Sequence, residues 1–123
     1  MEQVLGIGGF FFRSDDPKAL ATWYETNLGI CVYPATDDFW VQQGGPTVLA
    51  PFARDTAYFG RPDQQSMVNF RVRDLDAMLA QLRAGGADVS VEIHESEYGR
   101  FGWAVDPEGN RFELWQPSPD VPR

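Results

Sequence analysis

The chain has one cysteine and one histidine in 123 residues. A single thiol, Cys31, excludes an internal disulfide. It follows a predicted helix end at Leu28-Gly29-Ile30, has no base beside it, and reads as a small buried apolar residue. No run of 18 apolar residues exists, so no membrane span is expected. Basic residues are also scarce: 10 Lys and Arg stand against 18 Asp and Glu, giving a net charge of -8. No Lys- or Arg-rich run offsets this, which argues against nucleic acid and anionic membrane surfaces as partners. The opening Met1-Glu2-Gln3-Val4 lacks a basic segment followed by an apolar one, so no signal peptide is read. These absences together place the protein in the cytoplasm as an expectation.

What is present is a folded domain's composition. Hydrophobic residues make up 43% and aromatics 14%, enough for one domain with a real core. Within it two segments look like copies of one unit. Gly8-Gly9-Phe10-Phe11-Phe12-Arg13-Ser14-Asp15-Asp16-Pro17 aligns with Ser66-Met67-Val68-Asn69-Phe70-Arg71-Val72-Arg73-Asp74-Leu75. Phe12 then matches Phe70, Arg13 matches Arg71, and Leu20 matches Met78. Each copy is a strand running into an Asp at a helix N-cap.

In the first helix Asp16 caps and Pro17 takes the first helical position. Ala19, Leu20, Trp23, Tyr24 and Leu28 repeat at helical spacing, and Gly29 ends it. In the second, Asp74 caps, Leu75, Met78, Leu79 and Leu82 form the stripe, and Gly85-Gly86 stops it. Trp23, Tyr24 and Met78 are read as core. Three strand-like runs follow each helix: roughly 30–34, 38–42 and 46–52, then 88–94, 100–105 and 111–116. The expected fold is therefore α+β: two βαβββ modules, about 4–53 and 66–117, with curved mixed sheets around a concave pocket. The predicted domain is 4–117, segment 53–65 links the copies, and 118–123 is a tail.

Alternation assigns faces. Val68, Phe70 and Val72 point one way; Met67, Asn69, Arg71 and Arg73 point the other. By the repeat, Phe10 and Phe12 face the first helix, while Gly9, Phe11 and Arg13 face away. Near the C-terminus Asp106-Pro107-Glu108-Gly109-Asn110 is a tight turn. It feeds a strand in which Phe112 and Leu114 share the apolar side and Arg111, Glu113 and Trp115 share the other. Arg13, Asn69, Arg71, Glu113 and Trp115 are predicted to line a pocket, with Glu113 paired to arginine because an unpaired buried charge is costly. The glycines of Gly6-Ile7-Gly8-Gly9 lie before or within a strand rather than between a strand and a helix, so they are not read as a dinucleotide loop.

The doubled unit, the Asp-Pro … Trp-Tyr … Leu-Gly helix at 16–29, the Phe70-Arg-Val-Arg-Asp-Leu-Asp76 entry and the Asp106-Pro-Glu-Gly-Asn-Arg-Phe-Glu-Leu114 ending resemble the vicinal oxygen chelate superfamily. This group includes glyoxalase I, extradiol dioxygenases, fosfomycin-resistance enzymes and bleomycin-resistance binding proteins. The resemblance implies paired modules and a homodimer. In the superfamily's enzymes it also implies a divalent metal held by His and Glu on the first and last strands of each module. Here those positions are Gly9, Met67, Glu113 and a site near Leu49 or Ala50, and only Glu113 can ligate. A lone carboxylate does not hold a transition metal against water, so no metal and no cofactor is expected. His94 lies near a strand end beside Glu95 and Glu97; it shares a face with Glu92 and Ser96, which offers only a weak rim site.

The function expected is metal-independent binding of a small molecule, a drug or metabolite. Phe11, Trp40, Trp103 and Trp115 would supply aromatic walls, with Phe39, Tyr98 and Phe101 as further aromatics. Arg13 and Arg71 would clamp an anion and Asn69 would orient it. The alternative is a glyoxalase-like lyase or isomerase, or a dioxygenase, metal-dependent or using Glu113 as general base.

Overall fold

Capping sets the limits of both helices. In the computed structural model, which describes residues 1–32 and 39–122, α1 spans Pro17–Leu28. The Asp16 carboxylate accepts from the Ala19 amide at 3.1 Å, and Gly29 closes the helix at φ 71°. The α2 helix spans Leu75–Ala84; Asp74 accepts from the Ala77 amide at 3.0 Å and Gly85 caps the other end. Both helices stand where their caps and apolar stripes predict them.

Five strands form one mixed sheet: β1 (Asn69–Arg71), β2 (Asp88–Val89), β3 (His94–Ser96), β4 (Gly99–Val105) and β5 (Arg111–Pro117). The order is β1-β5-β4-β2, with β3 also on β4; β1 runs parallel to β5 and the other pairs are antiparallel. The predicted strand over 88–94 is thus two short strands with a break between them. With two helices on a mixed sheet the fold is α+β, of the kind expected.

One face of the sheet meets α2. Leu75, Leu79 and Leu82 pack on Ala104, Phe112 and Leu114, all almost fully buried. A second cluster, Leu20, Tyr24 and Ile30, joins the first through Trp23, Leu28 and Phe70, which touch both. Tyr24 is buried, and Trp23 and Met78 are partly buried against the core, as their helical spacing predicts. Gly102 lets the helix approach closely, since a Cβ there would lie 3.2 Å from both Leu79 methyls. Gly102→Val should overpack this contact and destabilise by about 1–3 kcal/mol; an unchanged urea midpoint would reject the tight fit.

The first unit differs from expectation. Among the described residues no strand precedes Asn69; residues 33–34 of the predicted run 30–34 and residue 38 of the predicted run 38–42 lie outside them. Phe11, Phe39, Val41 and Leu49 are largely exposed, and none of them lies in a strand or helix among the described residues. Cys31 is exposed too, which corrects its reading as a buried apolar residue. Phe12 does turn to α1, meeting the Tyr24 ring edge-on at 6.2 Å, while Phe11 points away.

The turn 106–110 ties the two units together. Asp106 is 4% exposed. One oxygen accepts from the amides of Glu108 and Asn110, and the other from the Asn110 side chain and the Tyr24 hydroxyl at 2.7 Å. Burial, followed by the bond to Asp106, pushes the Tyr24 hydroxyl far above its ordinary range. Glu108 reaches back to the entry of α1, accepting from the Asp15 and Asp16 amides and the Ser14 hydroxyl. Those bonds, the Asp15 amide first, hold its carboxyl below its usual value. Gly109 takes φ 85°, the left-handed conformation the turn requires.

Candidate functional site

Register turns the sheet face away from α2 into rows of side chains. Asn69 lies opposite Glu113, and Glu113 opposite Trp103. The next row is Arg71, Trp115, Phe101 and His94. Phe101 and Trp115 stack nearly parallel, 5.9 Å apart with 4° between planes, and His94 meets Phe101 at 6.1 Å. Non-hydrogen-bonded and diagonal neighbours on one face lie within reach of such large rings. Asn69, Arg71, Glu113 and Trp115 therefore share the face that alternation gives them, and Trp103 joins them there.

Glu113 is buried, and its partners are neutral. Oε1 accepts from Asn69 Nδ2 at 2.6 Å; Oε2 accepts from Trp103 Nε1 at 3.1 Å and from the Tyr58 hydroxyl. No arginine lies within 4.0 Å of it among the described residues. The expected arginine pairing is thus replaced by three uncharged donors, which satisfy the carboxylate as a counter-ion would. Arg71 instead donates to the Gln43 carbonyl at 3.0 Å, and Arg13 is exposed. Trp40 sits edge-on to Phe70, 6.3 Å away. Phe11 is 94% exposed and apart from the rows.

Tyr58 is the residue that strand patterning missed. It belongs to the linker 53–65, which alternation does not describe. Its hydroxyl donates to Glu113 and accepts from Trp103 Nε1 at 3.2 Å, its ring stands edge-on to Trp103, and Phe52 stacks on it. A cavity of about 440 Å³ opens beside this group, lined by Tyr58, Glu92, Ile93, His94 and Trp103. A smaller hollow of about 250 Å³ at Glu95, Arg100 and Pro117 contains none of the Glu113 network. Burial first, then the bond to Glu113, pushes the Tyr58 hydroxyl up to about 12. A phenol whose folded value is raised stabilises the fold below the unfolded value near 10, and that contribution is lost as pH rises towards 12. Stability should therefore fall between pH 10 and 12, and fall less steeply in Tyr58→Phe. Tyr24 acts in the same direction in both proteins, so the difference between the two curves isolates Tyr58. Parallel curves would contradict the Tyr58–Glu113 bond.

The sheet order, the 106–110 turn and the position of Glu113 on the last strand are what a family comparison can test. A model of the glyoxalase-like domain matches residues 9–115. The chain belongs to this glyoxalase-like family, within the vicinal oxygen chelate superfamily. A member of the glyoxalase/bleomycin resistance protein/dioxygenase superfamily from Sphaerobacter thermophilus is 19% identical, with a TM-score of 0.51, over 84% of this chain and 90% of that one. TioX from Micromonospora sp. ML1 is also 19% identical, with a TM-score of 0.51, over 89% of this chain and 94% of that one. At that identity both report the fold. TnmS3, an antibiotic-binding protein from Streptomyces sp. CB03234, is 35% identical, but over 42% of this chain and 41% of its own, with a TM-score of 0.38. The chain thus spans well under half of TnmS3, and that match carries no functional argument. A comparison with curated proteins finds no match.

The glyoxalase-like domain raises the question of a metal, and the residues present do not fit one. Gly9, Leu49, Ala50 and Met67 carry no hard or imidazole donor, and the Glu113 oxygens are already engaged. Among the described residues no three His, Cys, Asp or Glu side chains converge, whereas a protein metal site needs several. No helix among them is long and apolar enough to cross a membrane.

Proposed function

We propose that this glyoxalase-like domain binds a small aromatic molecule on the Glu113 face of its sheet, without a metal and without turning it over chemically. The observation that supports this best is the Glu113 network. Three donors from three different segments fix one carboxylate among Trp103, Tyr58 and the Phe101–Trp115 stack. Aromatic surface with a few immobilised polar groups is the usual make-up of a ligand site. A general base needs a lone pair free for the substrate, and three of the roughly four carboxylate sites are occupied here. That weighs against the lyase, isomerase or dioxygenase alternative.

The active form we propose is a homodimer. Phe11, Phe39, Val41 and Leu49 lie largely exposed in segments that form no strand among the described residues. Apolar surface of this kind marks an interaction site, and extended segments complete themselves by pairing with another sheet. A second copy of the chain supplies both. Light scattering should give twice the 13.8 kDa chain mass, and Phe11→Asp with Val41→Asp should return it to one; a monomeric wild type rejects the dimer.

The ligand reading is tested by titrating planar aromatic probes such as 9-anthracenemethanol against tryptophan fluorescence. Saturable quenching is expected in the wild type and should weaken about tenfold in Trp103→Ala, an order of magnitude consistent with losing one aromatic wall. Non-saturable quenching, or quenching unaffected by Trp103→Ala, would remove the site.

A further inference from the structure

We infer that Arg111 is the specificity-determining cation of the site, and that the ligand carries an anionic oxygen, a carboxylate or a phenolate, on its aromatic frame. This rests on the reading of the Glu113 face as a small-molecule site. Arg111 opens β5 and points to the same face as Glu113 and Trp115. Its backbone is locked from both sides by one side chain: the Arg111 amide donates to Gln64 Oε1 at 2.9 Å, and Gln64 Nε2 donates to the Arg111 carbonyl at 2.7 Å. Gly60, at φ 90°, packs against the stem, where a Cβ would come within 3.3 Å of Arg111 Cδ. The guanidinium then lies over two rings of the site, its carbon 5.4 Å from the Trp103 centroid and 5.8 Å from that of Tyr58.

What this cation lacks is an acceptor. The chain carries a net charge of -8, yet no carboxylate stands within 4.0 Å of Arg111 among the described residues. Its buried Nε has no hydrogen-bond partner. Two other arginines on the sheet have acceptors: Arg71 has the Gln43 carbonyl, and Arg100 has Asp76 and Glu95. Cation–π contacts hold the group in place but leave its buried Nε–H without an acceptor, which is unfavourable in a partly dry setting. A planar fork fixed between two rings matches a ligand whose anionic oxygens project from an aromatic plane. Glu113, two residues along the same face, repels an anion placed there. The ligand's polarity is thereby set, with its anionic end at Arg111 and its neutral part over Glu113 and Trp115.

The test pairs 9-anthracenecarboxylate with neutral 9-anthracenemethanol, titrated into wild type, Arg111→Met, Arg111→Lys and Arg71→Ala. The wild type should prefer the carboxylate by at least about tenfold, the scale of one charge-assisted contact. Arg111→Met should bring the two probes to within about twofold of each other, the carboxylate losing more affinity than the alcohol. Arg111→Lys keeps the charge without the fork and should fall between. Should Arg111→Met not fold, the Arg111→Lys titration and the wild-type Arg Nε–H NMR resonance, assigned by its loss in Arg111→Lys, decide; it should shift with the carboxylate and not with the alcohol. Equal binding of both probes by the wild type, or a preference abolished by Arg71→Ala and not by Arg111→Met, overturns the assignment to Arg111 and leaves the aromatic site standing. Absence of binding by either probe overturns both.

Discussion

Asp106→Ala is expected to destabilise the protein by about 3–5 kcal/mol, the range for removing an ion from a buried, hydrogen-bonded network. The side chain is 4% exposed and accepts four hydrogen bonds. Its loss strands the Tyr24 hydroxyl, which is buried, and the amides that hold the turn closed. Each donor left buried and unpaired costs about 1–3 kcal/mol. Tyr24→Phe removes only one of the four donors and leaves Asp106 with three, so about 1–2 kcal/mol is expected. The double variant should cost much less than the sum, because both single changes break the same bond. Urea unfolding of the four proteins measures this. Independent, additive losses would show that the turn does not couple α1 to the β4–β5 hairpin.

The fold was legible in the sequence wherever local chemistry settles it. Asp16, Pro17 and Gly29 delimit α1, and Asp74 with Gly85 delimits α2, because caps act within a few residues. Alternation placed Asn69, Arg71, Glu113 and Trp115 on one face before any strand order was known. The partners on that face were not legible. Tyr58 reaches Glu113 from a linker with no periodicity, across 55 residues of sequence, and nothing in a loop's composition states where its side chain lands. The arginine pairing for Glu113 followed sound electrostatics but assumed that only a cation can satisfy a buried carboxylate. Neutral donors do so equally well when three converge. The strands of the first unit illustrate the converse limit: the pattern specifies which side chains seek cover, not which sheet provides it.

Glu113→Ala should separate the site from the scaffold. Its carboxylate is as buried as many structural acids, at 9% exposed, yet two of its three donors have other options. Asn69 is exposed and Tyr58 is 37% exposed, so both can turn to water when the acceptor is gone. Only the Trp103 indole N–H, on a side chain 8% exposed, stays buried, and the Tyr58 hydroxyl 3.2 Å away remains as an acceptor. The stability cost is therefore about 1–2 kcal/mol, the net loss of hydrogen bonds with no donor left stranded, well below that of Asp106→Ala. Binding should suffer more than folding. Without Glu113 the Trp103 and Tyr58 rings lose the acceptor that fixes them, and affinity for an aromatic probe should drop by tenfold or more as ordering is transferred to the binding step. Glu113→Gln keeps an acceptor and most of the geometry, so it should bind with intermediate affinity. Thermal shift with Zn²⁺, Mn²⁺ and Ni²⁺ completes the comparison: no rise in melting temperature is expected in the wild type or in either variant. A rise in the wild type that vanishes in Glu113→Gln would instead make Glu113 a metal ligand, with its remaining partners drawn from a second copy of the chain.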